Sequence, residues 1–133
     1  MGYELVEHTA DTGIRVEASD LSSLFREAGL ALVDILGAAS RRETVTLDVS
    51  VEGIDRVDLL VRWLQEILYL ITVKDLRVGS ISVEHLTDTG VRARLRGAYE
   101  GTGLKQEIKA VTYHGLDIVD KGGSLTATVI FDL

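Results

Sequence analysis

The stretch VDLLVRWLQEILYLI, residues 57–71, decides how the rest of the chain must be arranged. Its apolar side chains recur at steps of three and four residues, the spacing of one face of an α-helix. They are Val57, Leu60, Val61, Leu64, Ile67, Leu68 and Ile71. Asp55 precedes the stretch as a predicted N-cap. A helix with this apolar face requires a second layer to cover it.

A second helix is predicted by LSSLFREAGLALVDILG, residues 21–37. Its apolar stripe comprises Leu21, Leu24, Phe25, Ala28, Leu32 and Ile35. Asp20 is placed to cap its start, and Gly37 is placed to end it in a left-handed conformation. Like the first, this helix is amphipathic and needs a partner surface.

Most of the remaining sequence alternates with the period of two that is typical of half-buried strands. TDTG, residues 87–90, and KGG, residues 121–123, each link two such runs as hairpin turns. The predicted order of elements is β-β-α-β-α-β-β-β-β. We therefore predict one α+β domain over residues 1–133, a two-layer sandwich with two amphipathic helices packed on a largely antiparallel sheet.

Composition narrows the classes of protein to which the chain can belong. At 133 residues, with 46% hydrophobic and 26% charged residues, it fits one globular domain. No apolar run is long enough to span a membrane, and the first residues carry no secretory signal. The absence of cysteine excludes disulfides, thiolate metal sites and cysteine nucleophiles. We expect a cytoplasmic protein.

The formal charge of −7 argues against a protein that binds nucleic acid mainly through phosphates. One segment differs, because Arg92, Arg94 and Arg96 alternate with apolar residues and share one face of a predicted strand. A solvated sheet face explains this pattern by strand alternation alone. The other interpretation is a docking strip for an acidic partner or RNA.

Two segments carry candidate metal ligands. EHTADTGI, residues 7–14, places His8 and Asp11 in a predicted loop, and VIFDL, residues 129–133, ends in Asp132 and Leu133. If the strands bearing them pair, the carboxylates of Asp11, Asp132 and the Leu133 terminus meet, and such hard oxygen anions favour Ca²⁺, Mg²⁺ or Mn²⁺. The alternatives are that Asp11 is only a turn residue and that Asp132 solubilises a frayed end.

Four blocks of the sequence resemble the signature blocks of the archease family. They are EHTADTGI, LLVRWLQEILYLI (59–71), EIKAVTYH (107–114) and VIFDL, and they span essentially the whole chain in the family's order. The resemblance implies a divalent metal held by Asp11, Asp132 and Leu133, and a partner-activating role for Lys109. His8 and His114 lie nearby in the same motifs. Glu7 and Gln106 depart from the family pattern, where an aspartate and a histidine are common.

The resemblance also implies a function. Archeases activate the RtcB-type RNA ligase of tRNA splicing and RNA repair, so we expect an accessory protein that promotes guanylylation of that ligase and has no turnover of its own. The alternative is a chaperone-like module for a tRNA-modifying enzyme such as a tRNA cytosine methyltransferase. A free-standing metal-dependent hydrolase is disfavoured, because no nucleophile–base pair or phosphate-binding glycine loop is evident. Direct RNA binding is expected to be weak or absent.

Overall fold

The computed structural model of the chain describes residues 2–7 and 11–133. Within these ranges it contains eight strands and two helices. The first half comprises β1 (Gly2–Glu7), β2 (Asp11–Ala18), α1 (Leu21–Leu36), β3 (Val45–Glu52) and α2 (Arg56–Thr72). The second half is entirely strand and loop, with β4 (Leu76–Leu86), β5 (Gly90–Tyr99), β6 (Ala110–Val111), β7 (Ile118–Lys121) and β8 (Ser124–Asp132).

Both helices begin where their sequences predict, and α1 also ends at the predicted glycine. The Asp20 carboxylate accepts a hydrogen bond from the Ser23 N–H at 2.7 Å, and Asp55 does the same for the Asp58 N–H at 2.8 Å. Gly37 ends α1 with φ of 68°, a left-handed conformation that costs a residue with a Cβ about 1–2 kcal/mol. The N-cap and C-cap signals therefore set the bounds of α1 and the start of α2.

The strands form two antiparallel sheets. In the first sheet, β8 lies between β2 and β6, β1 pairs with the outer side of β2, and β7 extends the pairing along β8. The second sheet has the order β3-β5-β4. Both helices bury their apolar stripes against the inner faces of the sheets, and the core includes Phe25, Trp63, Leu95 and Phe131, all fully buried. The predicted class, two helices packed on antiparallel sheet, is confirmed.

The structure differs from the sequence-based expectation in three details. The strands divide between two sheets, because alternation reports which face of a strand is buried but not which strand it pairs with. An additional two-residue strand, β6, lies inside the segment interpreted as a loop. Gly13 lies within β2 rather than in a loop, and a Cβ there would come within 2.5 Å of the Val129 carbonyl oxygen. Its glycine thus permits close approach of β2 and β8 and does not provide loop flexibility.

Candidate functional site

The candidate metal positions lie at one end of the first sheet, where three strands meet. The register pairs Asp11 of β2 with Asp132 of β8, and pairs Asp132 in turn with Ala110 of β6. Neighbouring strands lie about 4.8 Å apart, so these three backbone positions form one row across the sheet. The pairing of the N-terminal segment with the last strand, on which the predicted convergence depends, is thus present in the backbone.

Asp132 is held at this end of the sheet by its neighbour in the strand. Phe131 is fully buried in the core, while Asp132 and Leu133 are exposed. Because successive side chains of a strand alternate between its faces, burial of Phe131 directs Asp132 away from the core. The position is anchored within a paired strand, which differs from the frayed end considered as an alternative.

Lys109 is joined to this row through the backbone. Its N–H donates to the Asp132 carbonyl oxygen at 2.8 Å, and the residue is exposed between the buried Ile108 and the two-residue β6. It also lies in the wall of a cleft of about 250 Å³ between β6 and the C-terminal half of α2. The surface position expected for Lys109 is therefore present, but it adjoins apolar side chains of α2 and not open solvent alone.

The segment after Lys109 is tied to its surroundings by polar contacts. Thr112 bonds to the Ile130 carbonyl oxygen twice, through its N–H at 3.0 Å and its hydroxyl at 2.9 Å. From α2, the Gln65 amide donates to the Val111 carbonyl oxygen at 3.2 Å. These contacts attach both sides of the segment, one to β8 and the other to α2.

Tyr113 provides the strongest of these attachments. Its hydroxyl donates a short hydrogen bond to Asp58, a buried carboxylate in the first turn of α2. Asp58 also accepts from the Ile54 N–H at 2.9 Å and the Arg62 guanidinium at 2.8 Å. The Tyr113 hydrogen bond, followed by the Ile54 N–H, lowers the pKa of Asp58, and the same bond to Asp58 raises the pKa of Tyr113. The pair is therefore held as a neutral phenol donating to a carboxylate.

Sequence reasoning missed Asp58 and Tyr113 as partners. The available signal was the spacing of Asp55 and Asp58, an N-cap acid followed three residues later by a second acid, which resembles a capping box. Asp58 here accepts from the Ile54 N–H just before the helix. No local pattern indicates that its other oxygen binds a tyrosine 55 residues further along the chain.

The remaining predicted site residues have different outcomes. His8 lies outside the described residues, and the structure describes only the backbone of Asp11. His114 lies in a turn beyond Thr112, where its N–H donates to the Thr112 hydroxyl oxygen at 3.3 Å, and the antiparallel register takes this turn away from Asp132 toward the start of β8. Among the side chains that are described, no three acidic or histidine groups are placed to hold a metal ion. Metal binding therefore stays a prediction.

The three arginines of β5 share one face, as their alternation predicted. The residues between them, Val91, Ala93 and Leu95, are buried. Arg94 pairs with Asp48 across the strands at 3.0 Å, and that hydrogen bond, together with the nearby Glu84, raises the pKa of Arg94. Carboxylates on the same surface offset the positive charge, which favours the interpretation as a solvated sheet face.

Comparison with known proteins identifies the family of this chain. The family model of the archease protein family matches residues 3–133. The chain belongs to the archease family. Archease proteins from Pyrococcus furiosus and Archaeoglobus fulgidus are 36% and 34% identical to it, over 87% and 100% of both chains respectively. The protein archease of Methanothermobacter thermautotrophicus is 32% identical over 99% of both chains.

Solved structures share the archease fold. The solution structure of Methanobacterium thermoautotrophicum protein 1598 superposes with a TM-score of 0.73 at 29% identity, covering 99% of both chains. A crystal structure from Thermotoga maritima, described as an archease and possible chaperone, gives a TM-score of 0.69 at 22% identity, covering 96% of this chain and 94% of its own. The second likeness bears on the fold alone.

Neither helix of the described chain is long and apolar enough to cross a membrane.

Proposed function

We propose that this archease is an accessory protein that activates an RtcB-type RNA ligase by promoting its guanylylation, without turnover of its own, in the cytoplasm. The observation that carries the proposal is the direct backbone junction of the KAVTYH segment and the last strand, where the Lys109 N–H bonds to the Asp132 carbonyl oxygen. The block that the family resemblance associates with activation and a block that it associates with metal binding thus lie at one end of one sheet.

The chain's own residues support a positioning role at this edge. Lys109 presents an ammonium group, a compact point charge suited to a phosphate or a carboxylate. Its segment is fixed by Thr112 on β8 and by Tyr113 on Asp58, so the ammonium starts from a backbone that is already ordered. Groups that are ordered before binding lose less entropy when a partner must be aligned for nucleotide transfer.

We further propose that Asp11, Asp132 and Leu133 hold one divalent ion, Ca²⁺, Mg²⁺ or Mn²⁺. The donor set would be oxygen only, which fits these hard cations, and the register places the two aspartates opposite each other in adjacent strands. A bound ion would supply positive charge near the phosphates of a nucleotide. The two negatively charged carboxylates repel each other, and a cation bound between them would relieve that repulsion.

The experiment is a guanylylation and RNA-joining assay with purified RtcB-type ligase, with and without this protein. Lys109→Ala and Asp132→Asn should each reduce stimulation by at least ten-fold while leaving the melting temperature unchanged. The matched controls are Lys121→Ala and Asp120→Asn, exposed residues of the same charge in β7. Full stimulation by both site variants, or equal loss in the controls, would contradict the proposal.

A second candidate is a chaperone-like role toward a tRNA methyltransferase. It is favoured by exposed apolar side chains, notably Ile54 at 81% and Val73 at 61% exposure. The variant Lys109→Ala distinguishes the two functions. Suppression of methyltransferase aggregation should survive Lys109→Ala, whereas stimulation of the ligase should not.

A further inference from the structure

The exposed side of α2 carries a stripe of four residues, Arg62, Gln65, Tyr69 and Thr72. Three of them are already engaged: Arg62 with Asp58, Gln65 with the Val111 carbonyl oxygen and Thr72 with the Leu68 carbonyl oxygen. The Tyr69 hydroxyl makes no hydrogen bond within the described residues. Tyr69 is 43% exposed, so much of its aromatic ring is available for contact.

Tyr69 stands between two clefts of different charge. On the side of β6, it shares the Lys109 cleft with Leu68 and Val73, and none of the described side chains that line this cleft is a carboxylate. On the side of β3, it borders a second cleft lined by Glu52, Glu66 and Arg62, and the charge of Arg62 is already paired with Asp58. The ridge of α2 thus separates a cationic and apolar cleft from an acidic one.

Two further positive charges lie near the C-terminal end of α2. The Lys74 ammonium lies 5.9 Å from the centre of the Tyr69 ring. The buried Arg77 guanidinium donates to the Ile71 carbonyl oxygen at 3.2 Å, where the partial negative charge of the helix end accumulates. An acidic group entering the Lys109 cleft therefore meets the Lys109 ammonium, while the Lys74 ammonium lies against the Tyr69 ring that forms one wall of the cleft.

We infer that this ridge, formed by Tyr69 and Val73 with the clefts on either side, is a docking surface for the partner protein. Its occupant is a segment with an apolar side chain over Tyr69, an acidic side chain toward Lys109 and a basic one toward Glu66. Charge complementarity selects this occupant, and exposed tyrosine is among the residues that most often anchor interfaces. The inference rests on the proposed function, and it extends the ligase contact from the candidate metal positions to the exposed side of α2.

The test measures the dissociation constant between full-length RtcB-type ligase and variants of this chain by biolayer interferometry. Tyr69→Ala and Val73→Asp should each raise the Kd by at least ten-fold, and saturating amounts of either variant should still stimulate the ligase. Ile54→Asp is the matched control, because Ile54 is an exposed aliphatic residue at the other end of α2. Circular dichroism melts confirm that each variant folds.

A charge reversal tests the orientation of the segment. Glu66→Lys should weaken binding, and it should do so more at low salt than at high salt. Glu17→Lys, which reverses the charge of an exposed residue of β2 in the first sheet, should leave binding unchanged.

The outcomes separate the two proposals. A wild-type protein that neither binds nor stimulates the ligase overturns the proposed function. Wild-type binding with an unchanged Kd for both Tyr69→Ala and Val73→Asp overturns the docking surface alone. A change in self-association of these variants, seen by sedimentation velocity without a change in ligase binding, would assign the ridge to a second copy of the chain and overturn the inference.

Discussion

Replacement of Trp63 by phenylalanine should destabilise the protein by a magnitude that the structure allows one to work out. Trp63 is the single tryptophan of the chain and is fully buried in α2. Its indole N–H donates to the Phe25 carbonyl oxygen of α1 at 2.9 Å, and the two rings lie 6.4 Å apart. The residue therefore connects the two helices through both a hydrogen bond and a packed ring.

Two contributions are lost in Trp63→Phe. The hydrogen bond is worth about 1 kcal/mol net. A phenyl ring buries on the order of 40 Å² less than an indole, which at about 25 cal/mol per Å² is roughly another 1 kcal/mol. The expected loss is therefore about 2 kcal/mol. For 133 residues, an unfolding entropy of about 2.1 cal/mol/K per residue converts this loss to a melting temperature lower by about 7 °C.

Urea unfolding followed by circular dichroism measures the change, because the variant lacks the fluorescent probe. Tyr69→Phe is the control, since it removes a hydroxyl from the exposed side of the same helix and should change the free energy of unfolding by about 0.5 kcal/mol or less. A loss below that size for Trp63→Phe would refute the reasoning. It would mean that the helix–helix contact contributes little to the stability of the core.

Three further predictions concern the pH response, the end of α1 and the metal. The hydrogen bond from the Tyr113 hydroxyl is the main cause that lowers the pKa of Asp58 below 3.8. The stability that this hydrogen bond contributes is therefore present above pH 3.8 and is lost as the pH falls through the folded-state pKa of Asp58. The advantage of wild type over Tyr113→Phe in urea unfolding should therefore shrink in acid. It should shrink again above pH 10.0, because the pKa of Tyr113 is raised from that value, and an advantage that is constant with pH would exclude the coupling. Gly37→Ala should lower stability by about 1–2 kcal/mol, since φ is 68° there, and an unchanged urea midpoint would show that the turn adopts another conformation. Calorimetric titration with Ca²⁺, Mg²⁺ or Mn²⁺ should give a heat of binding that Asp11→Ala combined with Asp132→Ala removes, whereas undiminished heat would place the ion elsewhere.

The candidate site was predictable only where its parts are local. The spacing of Asp55 and Asp58 marks the start of α2, and the KAVTYH block draws attention to Lys109, so both are visible in the sequence. Their spatial relations are not. Asp58 meets Tyr113 and Lys109 meets Asp132 through contacts between distant segments, which depend on how β6 and β8 lie against α2. Local patterns carry no information about such pairings.

The sequence by itself determined the two helices, their caps, the faces of the strands and membership of the α+β class. Each of these follows from interactions within a few residues, namely hydrophobic period, capping and turn formation. Only the tertiary structure decided that the strands divide into two sheets, that β8 lies between β2 and β6, and that Tyr69 stands between the Lys109 cleft and the cleft that contains Glu52 and Glu66. The physical reason is that strand pairing and helix placement are fixed by the packing of the whole core, in which many long-range contacts must be satisfied together.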